Sequence, residues 1–206
     1  MKISYAITVC NEFKEIQRLI NFLVKNKRHE DEIVVLFDST NGSSSVEQFL
    51  RAKSINGEFN WVPYKFDGHF ANMKNRLTDM CNGDYIFQID ADEMVDEYIL
   101  RLLPQVLAVN DVDAILVPRI NTVKGLTQEH IQKWGWRVDE NNWINFPDYQ
   151  WRIYKNSGKV KWKNKIHEIL EGHKSISHLP QQPEWCLFHE KTIERQEKQN
   201  EYYETI

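Results

Sequence analysis

Cysteine is scarce in this chain: Cys10, Cys81 and Cys186 are the 3 among 206 residues, widely separated and without a Cys-x-x-Cys pair. An odd, unpaired set excludes a disulfide framework and a cysteine-based zinc site, and it points to a reducing compartment. Long hydrophobic runs are missing too. No apolar stretch approaches the ~20 residues that a bilayer-spanning helix requires. Met1-Lys2-Ile3-Ser4-Tyr5-Ala6 enters a β-rich stretch with no signal-peptide core. The expected location is therefore cytoplasmic, with peripheral contact to a membrane left open. Nor does one sign of charge dominate, since 26 Lys plus Arg against 30 Asp plus Glu give a formal net charge of -4. That balance gives no support to a protein that coats nucleic acid.

What is present suits one compact domain. With 41% hydrophobic and 12% aromatic residues, the 206-residue chain can bury one sizeable core. Strand and helix patterns alternate through its first half. Tyr5 to Val9 is β-rich and apolar, and Phe13 to Lys25 then places Ile16, Leu19, Ile20, Phe22 and Leu23 near helical spacing. Glu32 to Phe37 reads as a second buried strand, ended by the polar turn formers Asp38 to Ser45. A short helix is expected over Val46 to Ala52, a short strand over Trp61 to Tyr64, and a helix over Ala71 to Cys81 closed by Asn82-Gly83. Another buried strand, Tyr85 to Ile89, follows, and Met94 to Val106 suggests a helix. Such alternation predicts an α/β fold with a mostly parallel sheet flanked by helices and ligands at the carboxyl ends of its strands.

Those strand ends carry the chemistry. Asp90-Ala91-Asp92-Glu93 follows the strand through Ile89, and alternation in extended chain sends Asp90 and Asp92 to one side, their Cβ atoms about 6.5 to 7 Å apart. Hard divalent cations such as Mg²⁺ and Mn²⁺ prefer oxygen ligands of this kind and often share them with a phosphate. A solvated loop, with one Asp capping the next helix, is the alternative reading. Asn11-Glu12 ends the first strand and Asp38 the second, so the topology predicts three acidic sites converging on one edge.

The second half is less regular. Ala114 to Pro118 is strand-like, and Lys133 to Trp151 is crowded with Trp134, Trp136, Trp143, Phe146, Tyr149 and Trp151. Aromatic faces either fill a core or offer stacking platforms for sugar rings or bases. The basic segment Lys155 to Lys165, with Trp162 inside it, reads as an exposed strand face or as a contact for phosphate or a polyanion. His29, His69, His130, His173 and His178 carry no motif, whereas His189 follows another short apolar strand. Thr192 to Thr205 reads as a solvated closing helix with Glu194, Lys198 and Tyr202 at i, i+4 spacing.

Taken in order, Cys10-Asn11-Glu12, Phe37-Asp38-Ser39, Met73-Lys74-Asn75, Gly83-Asp84-Tyr85-Ile86, Asp90-Ala91-Asp92-Glu93 and Ile166-His167-Glu168 resemble the family 2 glycosyltransferases, from about Ile3 to His189. The resemblance implies a GT-A (Rossmann-like) fold, with about 1–110 as the nucleotide-sugar-binding half and about 111–206 as the acceptor-side half and closing helix. It implies that Val9, Cys10, Glu12, Asp38, Lys74, Asn75, Asp90 and Ala91 hold the donor. Asp92 would ligate Mn²⁺ or Mg²⁺, and His167 or His189 would complete the metal site or touch the diphosphate. Cys10 stands where the family often has Tyr, and Lys74 where Arg is common, which keeps the charge but loses a bidentate donor. The family's Glu-Asp motif has no clear copy here, so Asp148 is the leading candidate for the catalytic base and Glu168 the alternative.

The expected activity is a metal-dependent, inverting displacement that moves a hexosyl group from a nucleotide-diphosphate sugar, expected to be a UDP-sugar, to a hydroxyl of a glycan, lipid or protein. Three other classes compete. A sugar nucleotidyltransferase needs a Gly-rich basic phosphate loop, and Cys10-Asn11-Glu12-Phe13 is not one. A non-catalytic carbohydrate- or nucleotide-sugar-binding module needs the aromatics but not the whole nucleotide-side set. A two-metal nuclease needs a basic groove that the charge balance does not promise.

Overall fold

The computed structural model of the chain describes residues 1–204. Its elements are β1 (Ile3–Val9), α1 (Phe13–Asn26), β2 (Glu32–Asp38), α2 (Ser44–Lys53), β3 (Asn60–Tyr64), α3 (Phe70–Met80), β4 (Tyr85–Asp90), β5 (Glu93–Val95) and α4 (Glu97–Val109). The second half adds β6 (Ala114–Lys124), α5 (Gln128–Trp134), β7 (Asp148–Lys155), β8 (Lys161–Lys163), β9 (Ile169–Glu171), β10 (Ile176–His178), β11 (Leu187–Thr192) and α6 (Ile193–Glu204). The predicted closing helix is present up to Glu204; Thr205 and the side chain of Tyr202 lie outside the described residues. No described helix is long and apolar enough to cross a membrane.

One 9-stranded sheet runs in the order β3-β2-β1-β4-β7-β6-β11-β5, with β10 paired beside β6. β3, β2, β1 and β4 are mutually parallel, and the register sets Thr8 opposite Asp90 and Val9 opposite Phe37. The carboxyl ends of β1, β2 and β4 are therefore level. Beyond β4 the sheet is mixed: β7 is antiparallel to both β4 and β6, and β11 is parallel to β6 but antiparallel to β5.

Period-two alternation builds a core on each face of the sheet. Ile3, Tyr5 and Ile7 of β1, Ile33 and Val35 of β2, and Phe87 and Ile89 of β4 pack with Ile16, Leu19, Ile20 and Leu23 of α1 and with Ile99, Leu100 and Leu103 of α4. Their neighbours Ala6, Val34, Leu36 and Ile86 face the other way, against Met73 and Leu77 of α3 and Trp162 of β8. Each fully buried Leu or Ile contributes roughly 1.5–3 kcal/mol.

Two local expectations change. The fourth helix starts at Glu97 rather than Met94, because Met94 is drawn into β5 opposite Phe188 and the helix is capped by Asp96, whose side chain accepts from Tyr98 N. Neither Asp90 nor Asp92 is its cap. Helix α3 closes on Cys81 in extended conformation, so Gly83 is not a left-handed cap. Gly83 is required for another reason: a Cβ there would lie 2.6 Å from Ser4 N. Within the basic segment the strand reading holds: Lys161–Lys163 is β8 with Trp162 buried and Lys163 exposed, Lys161 pairs with Asp79, and Lys155 pairs with Asp111 and Asp113.

Candidate active site

A cleft of about 870 Å³ opens where β1, β2 and β4 end. Val9, Cys10, Glu12 and Asp38 line its near wall, Lys74, Asp90, Ala91 and Asp92 its middle, and His167, Glu168, Lys191 and Arg195 its far side. The convergence expected of the three acidic strand ends is thus realised.

On the near wall the carboxylates fold their own loops. Glu12 Oε2 accepts from the backbone N–H groups of Cys10 at 2.9 Å and Asn11 at 3.1 Å. Asp38 Oδ1 accepts from Thr40 N at 2.8 Å and Asn41 N at 3.2 Å, while its Oδ2 takes the Asn41 amide at 3.0 Å. Burial, helped by the charges of Asp38 and Glu12, pushes the Cys10 thiol up to about 12, so it stands in the cleft as a neutral, inert group.

In the middle, the two aspartates separate in role. Asp90 Oδ2 accepts from Arg152 Nη2 at 2.7 Å. Arg152 also donates to both oxygens of the fully buried Glu93, which in turn accepts from Asp90 N at 3.0 Å and from Arg119 Nη1 at 3.1 Å. Burial raises the Asp90 pKa, but the charges of Arg152 and Lys74 more than offset it and leave the carboxyl below its ordinary range. Asp92 reaches the other way. Its Oδ2 lies 3.2 Å from His189 Nε2 and 3.3 Å from Arg195 Nη2. Burial again pushes upward, and the His189 contact with the charges of His189, Arg195 and Lys191 wins, holding Asp92 well below the usual carboxylate range.

Arg195, from α6, also meets Glu12 at 3.2 Å and Glu15 at 3.0 Å, so one guanidinium ties three carboxylates across the mouth of the cleft. Arg119, Arg152 and Arg195 are the residues sequence reasoning missed. Arg152 follows directly on the aromatic stretch Lys133 to Trp151, and its burial in the sheet requires the carboxylate partners it has.

Asn75 is not brought to the cleft. Its amide exchanges two 2.9 Å hydrogen bonds with the backbone of Trp162 and fastens α3 to β8. Lys74, on the next position of the same helix, does reach it, 3.1 Å from Glu168 Oε1 and 4.6 Å above the Trp162 ring. His167 lines the cleft in left-handed conformation, φ 54, which a side chain other than Gly adopts at a cost of order 1–3 kcal/mol. Among the described residues no group of three or more His, Cys, Asp and Glu side chains is assembled for a metal ion. Asp92 and His189 therefore stand as a pair, with His167 lining the same space.

The two base candidates differ in access. Glu168 faces the cleft. Asp148 is saturated: its Oδ2 accepts from Arg119 Nε at 2.9 Å, Arg119 Nη2 at 2.7 Å and Asn121 Nδ2 at 2.8 Å, and its Oδ1 from Gln150 Nε2 at 2.7 Å. Burial raises the Asp148 pKa, but Arg119 and these hydrogen bonds outweigh it and hold the carboxyl below its ordinary range. A side chamber of about 380 Å³ continues from the cleft past Glu168 and Lys74, walled by Trp136, Ile144, Asn145, Gln150 and Trp151. Of the six aromatics between Lys133 and Trp151, only Trp136 and Trp151 line it.

Residues 4–178 match the family model described as Glycosyl transferase family 2. Among solved structures, residues 1–349 of S. aureus TarS align with a TM-score of 0.64 and 16% identity, over 92% of this chain and 60% of that one. The same protein in complex with UDP-GlcNAc gives 0.64 and 18% over 93% and 59%, and its complex with UDP gives 0.63 and 17% over 92% and 60%. At these identities the likeness is one of fold, and the chain spans about three fifths of the length of these structures. No curated protein matches the chain.

Proposed function

The chain belongs to glycosyl transferase family 2 and has the GT-A fold, and from that premise we propose that it moves a hexosyl group from a UDP-sugar to an acceptor hydroxyl with inversion, using Mn²⁺ or Mg²⁺. One observation carries the reading: Asp92 Oδ2 and His189 Nε2, 97 residues apart in sequence, meet at 3.2 Å in the side chamber, beside the cleft that Asp92 also lines. Adjacent ligands of a hard cation with ~2.1 Å bonds lie about 3 Å apart, so the pair fits such an ion. Asp92 and His189 would hold it, with His167 or the donor's phosphates filling further positions. When bound, the ion would neutralise charge growing on the leaving diphosphate.

The rest follows from the chain's own groups. The near wall, with Val9, Cys10, Glu12 and Asp38, receives the nucleoside, about 1–110 being the donor half. Asp90, fixed by Arg152, orients the donor from below. Lys191 and Arg195 add positive charge where the diphosphate would lie, and Arg195 must leave Glu12 and Asp92 to reach it. Glu168 takes the proton of the attacking hydroxyl, because it faces the cleft, whereas all four donors around Asp148 already claim that carboxylate. Trp136 and Trp151 favour a glycan as the acceptor, since their faces suit a sugar ring.

A hydrolysis screen tests this reading. Purified protein with Mn²⁺ is offered a panel of sugar nucleotides, and release of free nucleoside diphosphate is measured. The expected result is release from one UDP-sugar, lost with Glu168→Gln when an acceptor is transferred to but not when donor binding alone is measured. No release from any member, with or without Mn²⁺, would refute it.

A further inference from the structure

Asp148 and Asn121 sit outside the roles assigned so far, yet the ladder of strands places them in line with the metal pair. Across β6, Arg119 pairs in register with Asp148 of β7, and Asn121 pairs with His189 of β11. Arg119 and Asn121 are two apart, so their side chains share a face. The resulting chain of contacts is continuous: Asp148 Oδ2 to Asn121 Nδ2 at 2.8 Å, Asn121 Oδ1 to His189 Nδ1 at 2.8 Å, and His189 Nε2 to Asp92 Oδ2 at 3.2 Å.

Donor and acceptor chemistry gives this chain a direction. An ionised carboxylate can only accept, so Asp148, clamped by two N–H groups of Arg119, takes the NH₂ end of the Asn121 amide. The carbonyl end of Asn121 must then face His189, and a carbonyl oxygen needs a donor. His189 Nδ1 therefore carries the proton. A ring protonated on both nitrogens donates from Nε2 to Asp92, whereas the neutral ring leaves Nε2 with a lone pair facing an anionic oxygen, the arrangement that a cation shared by the two would complete.

We propose that Asn121 and, through it, Asp148 are positioning residues that lock His189 in the Nδ1–H tautomer and so present Nε2 to a divalent cation shared with Asp92. The inference rests on the metal reading of Asp92 and His189, and it recasts Asp148 as an orienting group rather than the catalytic base. Outer partners of metal-bound histidines act in this way, fixing ring orientation and raising ligand basicity.

Histidine-selective ¹⁵N NMR reads the tautomer directly, with His189→Gln assigning its signal. In the neutral ring of the wild type, Nδ1 is expected to carry the proton; a ring protonated on Nε2 overturns the inference whatever metal does. Asn121→Leu, of similar size but without the amide, should release the tautomer and weaken Mn²⁺ binding, followed by EPR, about 10- to 100-fold; unchanged tautomer and affinity would contradict the proposal. Asp148→Asn keeps an acceptor oxygen for Asn121, so the tautomer should persist and transfer fall by no more than about tenfold, roughly one hydrogen bond. Loss of transfer in Asp148→Asn with tautomer and Mn²⁺ affinity intact would make Asp148 the base instead. If the wild type shows Nδ1–H but binds no Mn²⁺, the metal reading fails and the locked orientation still stands.

Discussion

The near and far walls of the cleft use the same residue types in opposite ways. On the near wall, Asp38 and Glu12 Oε2 accept from N–H groups within three residues of themselves, and Glu12 Oε1 reaches out to Arg195. Across the middle and far side of the cleft, together its far wall, Asp90, Asp92 and the Glu93 buried behind them meet Arg152, His189, Arg195 and Arg119 across long stretches of sequence. Local hydrogen bonds shape a loop whatever the rest of the chain does, so the near wall can be a preformed seat. Charge pairs between distant elements can exchange partners, and Arg195 in particular can trade carboxylates for phosphate. A leaving diphosphate needs the second kind of wall, and a nucleoside the first.

The comparison breaks most visibly at Glu93. Its buried carboxylate compensates two guanidinium groups, so Glu93→Ala should cost about 3–5 kcal/mol in urea unfolding. A cost under about 1 kcal/mol would show that the far wall is not held by this network. Acid separates the walls next. Asp90, Asp92 and Asp148 have folded-state values below the ordinary one, so the stability they contribute is complete above about pH 4 and is lost as pH falls below it toward their lower folded values. The urea midpoint should therefore drop between pH 5 and pH 3, and a midpoint flat over that range would contradict these ion pairs. The smallest effect belongs to the near wall. Asp38→Ala removes the acceptor for two backbone N–H groups and should cost about 1–2 kcal/mol while leaving Mn²⁺ affinity unchanged; weaker Mn²⁺ binding would mean that the walls are not independent.

Much of the parallel half of the sheet and of the near wall was legible from residues alone because its information is local. Apolar β-rich runs gave β1, β2 and β4, and parallel topology then puts every carboxyl end on one edge, so Glu12, Asp38 and Asp92 had to converge. Helix α4 was misplaced at its start because Met94 and Val95 are as apolar as a helix requires, and only pairing with β11 makes them a strand; Asp96-Glu97 was the available signal for the cap. Asn75 matched a motif but serves as a tether, since a short amide on the flank of α3 meets Trp162 before it meets the cleft. Arg119, Asn121 and Arg195 carry no local pattern at all. Their partners lie 26 to 183 residues away, and only the folded sheet makes them neighbours.

The central claim is that Asp92 and His189 hold a divalent cation against the donor's diphosphate. Calorimetric titration of UDP into the protein, with and without Mn²⁺, tests it most directly. Mn²⁺ should tighten UDP binding at least roughly tenfold, about 1.4 kcal/mol, and Asp92→Asn should abolish that gain while the fold is retained. Equal UDP affinity with and without Mn²⁺, unchanged in Asp92→Asn, would contradict the account.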